Sequence, residues 1–248
     1  MRFEENQSIA ERDKFKDSTI ILPTWDDVDT INMEKLRSLN CPIAKIKAVH
    51  TGGSEAKNAN SDTAKGLESQ LLLAKGARIM LTANLWTKFG LVNGSIGYVE
   101  DIIFEKEEPP YLPSMIFIKF DNYQGPTIKT LDGIKVVPII PVQRTWESKK
   151  GQICSRLQFP IYLAWAITTH KSQGLTIKKA TVGLGKKEFA AGLSFVAISR
   201  VRSLEDILFR PFSYERLERI KNCKRLQERK EEEIRLLSMS YNGIFSQE

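Results

Sequence analysis

At 248 residues the chain can form one large domain or a domain carrying an insertion, and a hydrophobic content of 42% supports a real core. Lys and Arg outnumber Asp and Glu by 37 to 30, and the resulting charge of +7 favours an anionic partner such as nucleic acid. No apolar run approaches membrane-spanning length and no N-terminal stretch has the charged-then-apolar form of a signal peptide, so no membrane partner is expected.

In chain order, Thr19 to Leu22 reads as a short strand that Pro23 ends. Thr24 is placed to cap a helix whose first turn carries Asp26 and Asp27, acids suited to a positive helix end. Lys45 to Val49 alternates charged and apolar residues in strand fashion. Thr51 to Lys65, rich in Gly, Ser, Asn and Ala, is expected to form a flexible loop. Asn93-Gly94 is a hairpin signal, because both residues tolerate positive φ. Strand-like runs follow at Gly97 to Phe104, Met115 to Phe120, Ile134 to Pro141 and Ile153 to Ile161. Turns at Glu107 to Pro110, Asn122 to Pro126 and Ser148 to Gly151 separate them, a spacing that indicates a small barrel or sandwich.

Tyr162 to Ile167 reads as one buried strand. Lys187 to Val201 carries Phe189, Leu193, Val196, Ala197 and Arg200 at helical spacing, and Asp206 to Phe209 is expected to be the final strand. Glu215 to Leu237 mixes acids and bases around Leu217, Ile220, Leu226, Ile234 and Leu237, as a solvated surface helix does. Cys41, Cys154 and Cys223 are scattered without Cys-x-x-Cys spacing, which suits reduced thiols in an intracellular protein. With only His50 and His170 available, no metal ligands are expected.

Two stretches carry most of the chemistry. Thr168-Thr-His-Lys-Ser-Gln-Gly174 follows directly on an apolar run, and in open α/β sheets ligands collect outside the carboxyl ends of strands. Ser199-Arg-Val-Arg-Ser203 places Arg200 and Arg202 near the end of a helix-like segment. Taken singly, an Arg on a helix is a solvated charge and a Ser or Thr after a strand is a turn or cap. The long ordered strings Ala164-Trp-Ala-Ile-Thr-Thr-His-Lys-Ser-Gln-Gly174 and Val196-Ala-Ile-Ser-Arg-Val-Arg-Ser203 change that weighting. They resemble motifs V and VI of the PIF (petite integration frequency) DNA helicases of superfamily one. Ile20-Ile-Leu-Pro-Thr24 with Val28, Asp29 and Asn32 is similar to motif IV, although Trp25 stands where the family more often has a polar residue. Gly76-Ala-Arg-Ile-Met-Leu-Thr-Ala-Asn84 and Gly90-Leu-Val-Asn-Gly94 look like the opening of the family's SH3-like insertion, domain 2B.

The resemblance implies an α/β fold, the RecA-like second motor domain with a P-loop NTPase-type parallel sheet, interrupted by a small SH3-like all-β insertion. On it, residues 1–66 would be the first part of domain 2A, 67–158 the 2B insertion, 159–213 the remainder of 2A, and 214–248 a charged C-terminal helix or tail. Arg200 would be the catalytic arginine finger, a role that raises turnover about a thousand-fold or more. Gln173, Gly174 and Arg202 would join it in binding nucleotide. Thr24, Thr168, His170, Lys171 and Ser172 would contact single-stranded or forked DNA through its phosphates, as sequence-independent translocation requires.

The family unwinds DNA from 5′ to 3′ in replication, repair, recombination and telomere maintenance, which implies an intracellular address, the nucleus ahead of the mitochondrion. No Gly-x-x-x-x-Gly-Lys-Ser/Thr phosphate loop occurs in the sequence. Gly183-Leu-Gly-Lys-Lys-Glu188 has the wrong spacing and reads as a turn between strand and helix. The expectation is therefore a C-terminal part that starts at motif IV and is inactive alone. ATP and magnesium would belong to the complete helicase, and a separate or missing N-terminal RecA-like domain would be its partner. A non-catalytic single-stranded nucleic-acid-binding module and a truncated helicase remnant remain the other readings.

Overall fold

The computed structural model describes residues 3–105, 112–148, 151–185, 192–210 and 224–244. Its strands are β1 (Thr19–Leu22), β2 (Ala44–Lys47), β3 (Val49–Thr51), β4 (Gln70–Leu73), β5 (Arg78–Leu81), β6 (Ile96–Ile103), β7 (Met115–Phe120) and β8 (Ile128–Lys129). They continue as β9 (Lys135–Ile139), β10 (Val142–Glu147), β11 (Ile153–Gln158), β12 (Ile161–Leu163), β13 (Ala166–Thr168), β14 (Ala180–Val182) and β15 (Ile207–Phe209). The α-helices are α1 (Ile9–Asp13), α2 (Trp25–Ser38), α3 (Gly53–Asn58), α4 (Leu193–Ile198) and α5 (Lys224–Ile244). The chain divides into two compact units, Met1–Trp25 with Ile167–Glu248, and Asp26–Ala166.

The first unit is built on a four-stranded sheet in the order β13-β1-β14-β15. β1 pairs parallel with β14, Thr19 opposite Ala180, and β14 pairs parallel with β15, Ala180 opposite Ile207. All residues of β14 and β15 are buried, the near-continuous apolar run expected of a strand covered on both faces. Ser18 and Thr181 share a buried hydroxyl hydrogen bond of 2.8 Å, so neither polar group in this layer is left without a partner. Ser8 caps α1 by accepting from the Glu11 N–H at 3.3 Å, and Phe3 meets Phe209 with ring centroids 6.4 Å apart.

The second unit is antiparallel. Six strands run in the order β12-β5-β6-β7-β9-β8, three in the order β10-β11-β3, and β2 pairs with β4. Its core joins Leu36 of α2 to Ile46, Leu73, Ile79, Leu81, Val99, Ile116, Ile118, Phe159 and Ile161. Asn32 is 4% exposed and fully used, donating to the Leu163 and Ala166 carbonyls and accepting from the Ala166 N–H at 2.9 Å.

Four sequence expectations need correction. Tyr162 to Ile167 is not one strand. Ala164 donates its N–H to the Arg78 carbonyl at 2.9 Å, β12 pairs with β5, and the chain then enters β13, which borders β1. Ile153 to Ile161 likewise splits, into β11 and the start of β12. Of the Asn93-Gly94 pair in the β5–β6 connection, Gly94 takes the left-handed conformation, at φ +96°, and Asn93 does not. The Ser95 N–H donates to the Val92 carbonyl at 2.9 Å, a turn that requires positive φ only at its third residue.

The last correction concerns Thr51 to Lys65, which is an ordered segment containing α3 rather than a flexible loop. Arg156 holds it. This guanidinium is fully buried and donates to the Leu67, Ala56 and Ala59 carbonyls at 2.7, 3.1 and 2.7 Å, while its Nε donates to His50 Nδ1 at 3.4 Å. The Trp146 ring lies 5.8 Å away. Burial lowers the Arg156 pKa and the Glu68 carboxylate acts against that shift. Gly52 approaches so closely that a Cβ there would sit 2.8 Å from Cys154 Sγ. The helix expected from Lys187 to Val201 is described as α4 at Leu193–Ile198, and α5 covers the described part of the charged tail. Phe189, Glu107 to Pro110, part of Ser148 to Gly151, Cys223, and residues 215–223 of the tail lie outside the described residues.

Candidate functional site

The site forms in the first unit, where the carboxyl ends of β1 and β13 meet. The Leu22 carbonyl accepts both from the Thr169 N–H at 2.9 Å and from the Thr169 hydroxyl at 3.3 Å, which locks the two strand ends together. After them the chain coils tightly. Ser172 donates its N–H to the Thr168 carbonyl at 3.0 Å and its hydroxyl to the Thr169 carbonyl at 2.7 Å. Thr168 Oγ1 accepts from the Lys171 N–H at 3.2 Å. The Gln173 N–H reaches the His170 carbonyl and the Leu175 N–H reaches the Ser172 carbonyl, at 3.2 and 3.1 Å.

These bonds sort the expected DNA-contacting residues into two groups. Thr168 and Ser172 are buried and spend their hydroxyls on the loop itself. His170, with Gln173 and Gly174, is exposed, and Lys171 is half-buried with Nζ 5.9 Å from the centroid of Trp25. Thr24 is half-buried between β1 and α2. Gly174 adopts φ +79° although a Cβ there would meet nothing, so the backbone angle is what favours glycine. Thr169 was not singled out from the sequence, yet it joins loop to sheet. Its signal was the adjacent Thr168-Thr169 pair, which a strand would turn to opposite faces.

Arg200 joins this loop from the end of α4. Its Nε donates to the Val196 carbonyl at 2.7 Å, Nη1 to the Ser172 and Leu175 carbonyls at 3.3 and 3.4 Å, and Nη2 to the Ser199 hydroxyl at 2.8 Å. Its own carbonyl accepts from the Ile177 N–H at 2.8 Å. The two sequence stretches therefore meet through one side chain. Arg202 is exposed on the next turn of chain. Among the described residues, no cluster of three or more His, Cys, Asp or Glu could hold a metal ion, and no helix is long and apolar enough to cross a membrane.

A parallel sheet with helices, its strand ends carrying a loop that an arginine of the following helix grips, is a helicase-like α/β arrangement consistent with a RecA-like domain. The chain is 36% identical over 184 residues to the human ATP-dependent DNA helicase PIF1, a match covering 73% of this chain and 25% of that protein. The chain belongs to the Pif1 DNA helicase family. It is also 30% identical over 219 residues to the ATP-dependent DNA helicase PIF7 of Trypanosoma brucei, covering 80% of this chain and 21% of that one. Among solved structures, the Pif1 helicase of Candida albicans matches with TM-score 0.60 and 27% identity over 90% of this chain and 51% of that one. A Bacteroides Pif1 in complex with ADP-AlF3 and ssDNA matches at TM-score 0.54 and 27% identity, over 80% of this chain and 41% of that one. No protein-family model matches the sequence. The chain spans about a quarter of the length of these two curated relatives.

Proposed function

We propose that the chain is the second motor half, domains 2A and 2B, of an ATP-dependent DNA helicase that moves 5′ to 3′ on single-stranded or forked DNA. In this reading residues 67–158 form the SH3-like insertion, and the whole enzyme serves replication, repair, recombination and telomere maintenance inside the cell, in the nucleus ahead of the mitochondrion. The observation that carries it is the grip of Arg200 on the Ser172 and Leu175 carbonyls, which ties a phosphate-seeking guanidinium to the loop proposed to touch DNA.

His170 and Lys171 contact the DNA phosphates with Thr24, while Thr168 and Ser172 act by shaping the loop that presents them. Contacts of this kind are sequence-independent, as a translocating motor needs. Arg200, Gln173, Gly174 and Arg202 face nucleotide. An arginine fork suits the terminal phosphate of ATP, because it is always charged and can donate two parallel hydrogen bonds. Bound nucleotide supplies the phosphoryl group whose transfer Arg200 would stabilise. To engage it, Nη1 exchanges the Ser172 and Leu175 carbonyls for phosphate oxygens, and the 168–175 segment loses two of its ties. In this reading the phosphate loop, whose Gly-x-x-x-x-Gly-Lys-Ser/Thr pattern the sequence does not carry, and the magnesium ligands come from a first motor domain.

The chain by itself is then catalytically incomplete. Magnesium-dependent ATP turnover by purified 1–248 is expected to be at background. Appreciable turnover that Arg200→Ala abolishes would overturn this division of labour. A second reading, a nucleotide-independent single-stranded DNA-binding module or a truncated helicase remnant, is favoured by one feature: His170 and Lys171 stand on this chain's own loop. DNA binding that full-length enzyme shows only with nucleotide, and that 1–248 shows without it, would support the module.

A further inference from the structure

Trp25 is out of place as a core residue. The first unit buries Phe15 and Phe209 to 5% and 7% exposure but leaves Phe195 74% and this indole 46% exposed, the indole three residues beyond the end of β1. Helix geometry does not require it there, since Asp26 and Asp27 already supply the polar first turn. The ring does have a specific neighbour. Lys171 Nζ lies 5.9 Å from its centroid, within the range of a cation–π contact, and this draws the indole toward the loop that also exposes His170 and Gln173.

A half-exposed indole with an ammonium group over its ring matches the two parts of a nucleotide. Every base offers a π-face on which an indole can stack, and the neighbouring phosphate is the natural partner of a lysine. We propose that Trp25 and Lys171 form a single-nucleotide site for single-stranded DNA, the indole stacking on a base while the ammonium binds the adjacent phosphate. This site rests on the DNA-binding reading above and adds base contact to it. Stacking of this kind tolerates any sequence, so it is compatible with translocation.

The test is anisotropy of two labelled strands of equal length against the 248-residue chain, oligothymidylate and the same backbone made wholly of abasic spacers. The wild type should bind the base-bearing strand about fivefold or more tightly than the abasic one. Trp25→Ala should lose that preference while still binding the abasic strand, which also reports that the variant is folded, and Trp25→Phe should keep part of it. Lys171→Ala should weaken both strands alike. Equal binding of the two strands by wild type, or an undiminished preference in Trp25→Ala, overturns the stacking site and leaves the DNA-binding reading standing. Failure of the wild type to bind either strand at low salt brings down both.

Discussion

Arg156 and Arg200 are both held by backbone carbonyls, one in each unit, but they are held differently. Arg156 is fully buried, with three carbonyls, a histidine nitrogen and an indole face around it. Arg200 is half-buried, with its fork on the loop carbonyls of Ser172 and Leu175 at longer distances. A wholly buried guanidinium cannot leave without stranding its acceptors away from water, so it serves as a fixed staple. A half-buried one can exchange a carbonyl for a phosphate oxygen while water covers what it leaves. The β-rich unit thus uses its arginine to hold a segment in place, and the parallel-sheet unit keeps one whose carbonyl contacts are longer and reached by water.

The strongest way to break this contrast is truncation of both arginines. Arg156→Ala should lower the unfolding free energy by about 3–5 kcal/mol, as removal of one partner from a buried network does. Arg200→Ala should cost about 1 kcal/mol or less. Equal costs in denaturant titrations would show that the two play the same part. Asn32→Ala should come next, at about 2–3 kcal/mol, because it orphans the N–H of Ala166 and two carbonyls. A loss below about half of that range would mean water reaches these groups.

Two glycines sharpen the comparison. Gly52→Ala meets both a left-handed backbone at φ +107° and the Cys154 backbone at 3.0 Å, whereas Gly174→Ala meets strain alone. Thermal melts should show Gly174→Ala costing about 1 kcal/mol and Gly52→Ala measurably more. Reversal of that order would place the tighter packing at the loop. The smallest effect is on pH. Burial, then the Arg156 and Lys57 charges, hold the His50 pKa below its usual value near 6.5. The unfolded chain therefore takes up this proton at higher pH than the folded one. The contribution of His50 is fully present above about pH 6.5 and is lost as pH falls from there through the lower folded value. His50→Gln should remove that slope from the difference between variant and wild-type stability profiles. Identical profiles would discount the Arg156–His50 contact.

What the sequence disclosed follows the range of the forces involved. β1 was legible because it is a short apolar run that Pro23 ends, and the start of α2 because Asp26 and Asp27 follow at once. The site loop was legible because His170, Lys171, Gln173 and Gly174 are contiguous and follow an apolar run. Uniform composition hid the break inside Tyr162 to Ile167, since the carbonyl that accepts from the Ala164 N–H there belongs to Arg78, far off in sequence. The ordering of Thr51 to Lys65 was hidden for the same reason, because its staple, Arg156, is 100 and 97 residues from Ala56 and Ala59. Spacing also could not tell which hydroxyls face outward: Thr168 and Ser172 match a polar motif, yet their oxygens complete the turn that positions His170 and Lys171.

A loop that grips a DNA backbone must lose affinity as salt screens the phosphates, and a salt series measures that loss. Single-stranded DNA binding by anisotropy should weaken linearly in log Kd against log salt for the native chain. His170→Ala with Lys171→Ala should lower affinity and flatten that slope by about one phosphate contact. An unchanged slope and affinity in the double variant, or no binding by the native chain at low salt, would contradict the account.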